Sequence, residues 1–443
     1  MLALATPLIV AELGWMTMGI VDTMIVGRLP DGALAISAVS IGGVMFVAAA
    51  FFGAGLFLGL DTLVSHAFGA GDLDDCHRTL ANAIYLAAAL TPPLMILTWM
   101  TTPLLHVVGV QPAVVALALP YLQAMLWSTF PLLLYFALRR YLQAMNLVRP
   151  VTFALVTANL INLAGNWILI FGHWGAPAMG VEGSGWATCY SRIYLALVLL
   201  GYVLYHEQRY KMGLARAPWR PDIARLKRML ALGVPSACQL LAEIGVFAAA
   251  TGLIGRLDKA SLASHQIALN VVSYTYMVPL GISSATAVRV GQALGRGDGE
   301  GAARAGWTGL VLGAGFMSTC AVLLWTLPRQ VVRLFTPEPS VITVGASLLV
   351  VGAFFQIFDG IQVVATGALR GSGDTQTPML TNLVCYWVVG LPLGTWLCFR
   401  WHWGAIGLWI GLSLGLILVG CVLLMAWRAR VKRFASADFA EKT

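Results

Sequence analysis

Apolar runs of about twenty residues recur along the chain, each closed by glycine, proline or charge, and a helix of that length crosses a hydrocarbon core of roughly 30 Å. Twelve such spans are predicted, over residues 2–27, 38–66, 80–103, 112–138, 150–172, 183–205, 229–255, 261–289, 304–327, 341–368, 378–399 and 405–427. The first begins almost at Met1 with neither a basic region nor a small-residue cleavage site, and is read as a retained anchor rather than a removed signal peptide. The pattern therefore predicts an all-α integral membrane protein. Composition agrees: 59% of the 443 residues are hydrophobic and only 10% charged, more apolar material than a soluble core of this size uses.

One connection breaks the rhythm. The stretch HEQRYKMGLARAPWRPDIARLKR, residues 206–228, is long, basic and carries two prolines, as a linker between two helical bundles would. The expected organisation is a six-helix lobe over 1–206, a cytoplasmic linker over 207–228, a second six-helix lobe over 229–430 and a cytoplasmic tail over 431–443. Internal repetition supports it. At an offset of 228, Pro7, Leu13, Thr23 and Gly27-Arg28-Leu29 fall on Pro235, Leu241, Thr251 and Gly255-Arg256-Leu257. GAGD at 69–72 answers GRGD at 295–298, Pro150 answers Pro378, and HWGA recurs at 173–176 and 402–405. Six spans per half is an even number, so both halves enter the membrane from the same side and form parallel, pseudo-symmetric repeats around a central cavity, a transporter's architecture.

The net charge of +8 is better explained by orientation than by nucleic acid. Twenty Lys and Arg fall in segments after even-numbered spans or in the tail, among them Arg139, Arg140, Arg216 and Lys442; six follow odd-numbered spans, and Arg192 falls in neither set. Both termini are thus expected in the cytoplasm. The seven cysteines lie mostly inside spans with no paired spacing, which predicts buried thiols rather than disulfides.

Against this apolar background the acids stand out. A charged side chain at mid-membrane costs about 2.5–3.5 kcal/mol on insertion scales, so an intramembrane carboxylate points to function. Five qualify: Glu12, Asp22, Asp61, Glu243 and Asp359. Few basic residues lie well inside a span, so most of these acids are expected to lack a buried cationic partner and to take up a proton or a metal cation instead. Asp22 is the strongest candidate, because NLINLAGNW supplies Asn162 and Asn166 four apart on one helix face, where amide oxygens complete a cation site or hold the acid. In the second half, Glu243 lies in LLAEIGVFAAATG and Asp359 in FFQIFDGIQVV, the latter flanked by Phe354, Phe355, Phe358 and Gln362, a combination suited to a flat lipophilic cation. Asp61 and Arg289 occupy nearly equivalent places in the two repeats and are expected to pair as a cytoplasmic gate. Pro7 is a candidate helix bend. The histidines show no metal-ligand spacing, and neither a nucleophile elbow nor a Walker A sequence occurs, so neither hydrolytic nor ATP chemistry is expected.

The stretches GIVDTMIVGRL, TLVSHAFGAGD, NWILIFGHWGAPAMGVEGSGWAT, ASHQIALNVVSYTYMVPLGISSATAVRVGQALGRGD and FFQIFDGIQVVATGALRGSGDTQTPML together resemble the multidrug and toxic compound extrusion (MATE) family, in its bacterial NorM-type branch. The resemblance implies a twelve-helix, two-lobed antiporter of the bacterial inner membrane that exports lipophilic, often cationic drugs in exchange for H⁺ or Na⁺. It places the amino-lobe cation site on Asp22, Asn162 and Asn166, which would be the metal ligands if the ion is Na⁺. It places the carboxy-lobe acids on Glu243 and Asp359 and the helix bend on Pro7. No cofactor is expected beyond the coupling ion, and the expected partners are small organic substrates and the lipid bilayer, with no nucleic acid and with the chain acting as a monomer. A lipid-linked oligosaccharide flippase is the nearest alternative, and would call for cationic residues in the cavity to meet a phosphate-bearing head group. A membrane-embedded enzyme is the second.

Overall fold

The computed structural model describes residues 1–107, 109–214 and 219–441, and these contain helices and turns but no strand. The helices long and apolar enough to cross a membrane are α1 (Leu2–Val26), α2 (Gly32–Gly69), α3 (Leu73–Val107), α5 (Arg149–Phe171), α6 (Val181–Tyr210), α7 (Ile223–Ile254), α8 (Lys259–Gly295), α9 (Gly299–Thr326), α10 (Pro339–Gly371), α11 (Gln376–Phe399) and α12 (Gly404–Phe434), with α4 made of a pair, Pro112–Trp127 and Thr129–Ala144, bent by 45°. All twelve predicted spans are present, and most helices continue a turn or two beyond their apolar stretch.

The bend in α4 has a local cause. Pro131 withholds the N–H that would reach the carbonyl of Trp127. The neighbouring hydroxyls bond backward into the same turn, Ser128 Oγ to Met125 O at 2.6 Å and Thr129 Oγ1 to Leu126 O at 2.7 Å, a pattern that opens a helix. Pro7 lies inside α1, which is continuous over Leu2–Val26. It sits in the second turn, where it removes only the donor that would reach Ala3 O.

The chain forms two compact units, one of Val10–Gly233 and one of Met1–Ile9 with Val234–Thr443. The boundaries therefore differ from the sequence halves. The start of α1 groups with the second unit and the start of α7 with the first. Residues 215–218 of the expected linker, Arg216 among them, and Lys442 of the expected tail lie outside the described residues.

Within the second unit, helices meet through small residues. Gly407, Gly411 and Gly415 repeat every four positions on one face of α12, and a side chain at Gly411 would collide with the backbone of Gly394 on α11. The carbonyl of Gly390 lies 2.7 Å from the same point. This close backbone approach is how helices associate where lipid removes the hydrophobic drive. Gly411→Val is expected to destabilise the unit by about 1–3 kcal/mol through overpacking, read as a lowered unfolding temperature in detergent. An unchanged unfolding temperature would contradict the packing described.

Two sequence expectations need correction here. Arg139 and Arg140 are not loop residues: both lie within α4, and Arg139 is buried. The cysteines are free, and Cys76, Cys189, Cys385 and Cys398 are buried, but Cys238 and Cys421 are exposed, because lying inside a span says nothing about which face of the helix a residue occupies.

Candidate functional site

In the first unit, the sequence VEGSGWAT at the start of α6 brings the site together. Its small residues allow close approach on two sides: a side chain at Gly183 would sit 2.7 Å from the backbone of Leu169 on α5, and one at Gly185 would sit 2.8 Å from the carbonyl of Tyr121 on α4. Thr188 is thereby carried against α5 and α1. Asp22, 6% exposed, accepts a hydrogen bond on Oδ1 from Asn166 Nδ2 at 2.6 Å and one on Oδ2 from Thr188 Oγ1 at 3.0 Å. The Asn166 amide also donates to Asn162 O at 2.9 Å and Asn162 Oδ1 at 3.2 Å, while its own buried Oδ1 accepts no hydrogen bond among the described residues. Asn162 Nδ2 reaches Thr188 Oγ1 at 3.4 Å. The third asparagine of the α5 run, Asn159, donates to Gly14 O at 3.0 Å. Gly14 to Asp22 and Asn159 to Asn166 advance in the same direction, so α1 and α5 run parallel, as two odd-numbered spans must.

Asp22, Asn162 and Asn166 are thus brought together as the sequence predicted, and Thr188 joins them. These are hard oxygen donors of the kind that hold an alkali cation, and equally a carboxylate that accepts a proton. The orphaned Asn166 Oδ1 is the one ligand of the set that is buried and unused.

Glu12 and Asp61 have a different setting. Glu12 forms a buried ion pair with Arg139, and Asp61, fully buried, pairs with Arg140 at 3.2 Å. One turn along, Trp15 stacks on Tyr135 with ring centroids 6.0 Å apart and planes 3° from parallel. The contacts 12 with 139 and 15 with 135 run in opposite senses, which makes α1 and α4 antiparallel. Glu12 and Asp61 are therefore the two of the five acids that have a cationic partner among the described residues. The expected partner of Asp61, Arg289, is exposed on α8 in the other unit, and Asp61 is already neutralised within its own.

In the second unit, Glu243 on α7 and Asp359 on α10 interact electrostatically, and neither takes part in a salt bridge among the described residues. Gln362 connects the cluster: its Nε2 lies 3.4 Å from both Glu243 Oε1 and Asn382 Oδ1, and its Oε1 accepts from Tyr386 Oη at 3.0 Å. Tyr276 of α8 also hydrogen-bonds Glu243. Tyr386 belongs to a π-helical segment of α11, Leu383–Gly390, a local widening that recurs at functional positions in membrane and soluble helices. The rings expected around Asp359 are spread about α10 instead. Phe354 is 62% exposed beside Trp325, Phe355 packs on Trp409, and Phe358 lies against Gly420 of α12. Phe247, four residues after Glu243 on α7, packs beside Tyr386 with ring centroids 6.3 Å apart. Tyr276, Asn382 and Tyr386 carried no signal in the sequence, because they are brought in from helices that do not carry the acids, Tyr276 from α8 and Asn382 and Tyr386 from α11.

Comparison with known proteins fits this arrangement. The profile of the MatE family matches the chain twice, over residues 7–168 and 235–396, so the matches begin 228 residues apart, the offset of the internal repeat. A probable multidrug resistance protein NorM from Mesorhizobium japonicum is 36% identical over 436 residues, covering 97% of this chain and 93% of the relative. Multidrug resistance protein PmpM from Pseudomonas aeruginosa is 33% identical, with 98% and 92% covered. Among solved structures, the eukaryotic MATE transporter AtDTX14 superposes with a TM-score of 0.86 at 23% identity over 98% of this chain and 97% of that one. With its two repeats, its twelve-span fold and near full-length relatives, the chain belongs to the MatE family, the multidrug and toxic compound extrusion transporters.

Proposed function

We propose that this chain is a multidrug efflux antiporter that moves lipophilic, often cationic compounds out of the bacterial cytoplasm by alternating access, in exchange for inward H⁺ or Na⁺ bound at Asp22. The observation that carries the reading is the setting of Asp22: a nearly inaccessible carboxylate whose oxygens are held by neutral donors, with no salt bridge among the described residues. Such a group is ready to receive one cation from outside the protein. The names of the relatives, multidrug resistance proteins, support the efflux part.

The geometry suggests how binding is felt. A proton placed on Asp22 Oδ1 turns an acceptor into a donor facing the Asn166 N–H, so the amide must rotate and offer its unused Oδ1. A Na⁺ ion beside the carboxylate asks for the same rotation. Either event breaks the bonds from Asn166 to Asn162 within α5 and replaces the N–H contact that ties Asn166 to Asp22 on α1, so that cation occupancy favours one conformer of the transporter over another. In the second unit, Glu243, Asp359 and Gln362, bordered by Tyr276, Phe247 and Tyr386, offer acid and aromatic faces to an organic cation or a second coupling ion. On this reading the chain works as a monomer in the inner membrane with both termini cytoplasmic, uses no cofactor and performs no covalent chemistry.

Reconstitution tests it. Ethidium transport in proteoliposomes under an imposed H⁺ or Na⁺ gradient is expected with one of the two ions, and Asp359→Asn is expected to reduce it by about tenfold, the cost of losing one charged contact of roughly 1.4 kcal/mol. Transport under neither gradient, with movement of labelled lipid across the bilayer in its place, would favour the flippase.

A further inference from the structure

Arg192 lies on α6 one turn beyond Thr188, the residue that holds Asp22 Oδ2, so the two side chains share a helix face and project into the same interior. It is 8% exposed and makes no salt bridge among the described residues. Its Nη1 donates to Ser128 Oγ at 2.7 Å and lies 3.9 Å from Met125 Sδ, its guanidinium carbon stands 4.7 Å from the centroid of the Phe46 ring, and its buried Nε has no hydrogen-bond partner. Ser128 is the residue at the break of α4, so the guanidinium is fixed by the bend itself.

A buried cation with only neutral contacts needs a counter-charge nearby. The groups that act on it electrostatically are Asp22 on α1, Tyr121 on α4 and Cys189 on its own helix, and of these only the carboxylate is an anion in its ordinary state. Arg192 and Asp22 form no ion pair among the described residues, so Arg192 acts through space and stays outside the ring of ligands.

We propose that Arg192 is a resident counter-cation for Asp22 that weakens the hold of the site on its coupling ion, a specificity-determining role that rests on the reading of Asp22 as the ion site. An incoming H⁺ or Na⁺ must enter the field of a fixed positive charge one helical turn beyond the Thr188 ligand, in surroundings where the effective dielectric is far below that of water. An antiporter must release its ion as readily as it binds it. A dry carboxylate without such a charge would retain the ion, and Arg192 supplies the opposing push without competing for the same oxygens.

The test is the cation dependence of ethidium transport in proteoliposomes, comparing the wild type with Asp22→Asn, Arg192→Met, Arg192→Lys and Ser128→Asp. Arg192→Met removes the charge and is expected to lower the half-saturating Na⁺ concentration by about tenfold, or, with H⁺ as the ion, to move the half-maximal pH up by about one unit. Arg192→Lys keeps the charge and is expected to stay within about twofold of the wild type. Ser128→Asp gives Arg192 a contact carboxylate, draws its charge away from Asp22, and is expected to shift the midpoint in the same direction as Arg192→Met. It carries the test alone if Arg192→Met does not fold. Altered maximal rates with unmoved midpoints in Arg192→Met and Ser128→Asp, or an Arg192→Lys midpoint displaced as far as that of Arg192→Met, would overturn the proposal. A wild type with no saturable cation dependence, or one whose dependence survives Asp22→Asn, would instead remove the reading of Asp22 on which it rests.

Discussion

Asp22→Asn is expected to reduce ion-driven export by about two orders of magnitude, close to 2.8 kcal/mol of lost coupling. The substitution keeps the size of the side chain and removes the one property the site is built around. Asn166 and Thr188 present an N–H and an O–H to two carboxylate oxygens. An amide in that place satisfies one of them as an acceptor and opposes the other with its own NH₂, and it neither takes a proton nor attracts Na⁺. Drug binding to the acids of the second unit is expected to survive, since Glu243, Asp359 and Gln362 belong to a separate cluster. Parallel measurement of ethidium affinity in detergent and gradient-driven transport in vesicles separates the two effects. Equal loss of both would mean that Asp22 is a structural residue.

The second large effect concerns stability. Glu12 and Arg139 are buried partners, with side chains 10% and 3% exposed, and they join α1 to α4 beside the Trp15–Tyr135 stack. Arg139→Met leaves a desolvated carboxylate without its cation, which costs about 3–5 kcal/mol when a buried pair is broken from one side. Adding Glu12→Gln removes the stranded charge, and the double variant is expected to recover most of that loss. Thermal unfolding followed by tryptophan fluorescence reports both steps. A double variant no more stable than Arg139→Met would show that the ion pair is not what Arg139 contributes.

These two predictions also mark where the sequence was legible. Twelve spans and the repeat could be read because apolar length and recurring tetrapeptides are properties of consecutive residues. The grouping of Asp22 with Asn162 and Asn166 was readable for a related reason: a spacing of four on α5 puts two amides on one face, and Asp22 was the acid most in need of them. What could not be read was the phase of one helix against another. Arg139 and Arg140 sit at the end of a hydrophobic run and look like loop charges until α4 is seen to carry them inward to Glu12 and Asp61. Arg192 fitted neither side of the membrane in the charge count, and that misfit was the available signal that it is an interior residue. Phe354, Phe355 and Phe358 looked like a binding surface because they are close in sequence, yet adjacent positions on a helix point about 100° apart: Phe354 is exposed beside Trp325, Phe355 packs on Trp409 and Phe358 lies against Gly420. Phe247, which packs on Tyr386 of the acid cluster, lies one helical turn after Glu243 on α7, and that spacing was the available signal.

The most direct measurement of the central claim is ion flux recorded alongside drug flux in the same proteoliposomes, with radioactive Na⁺ in one set and a lumenal pH indicator in another. The account predicts that an opposing ethidium gradient drives one of these ions in the opposite direction to the drug, and that Asp22→Asn abolishes the ion movement. Ethidium transport with no counterflow of either ion, or counterflow unchanged in Asp22→Asn, would contradict it.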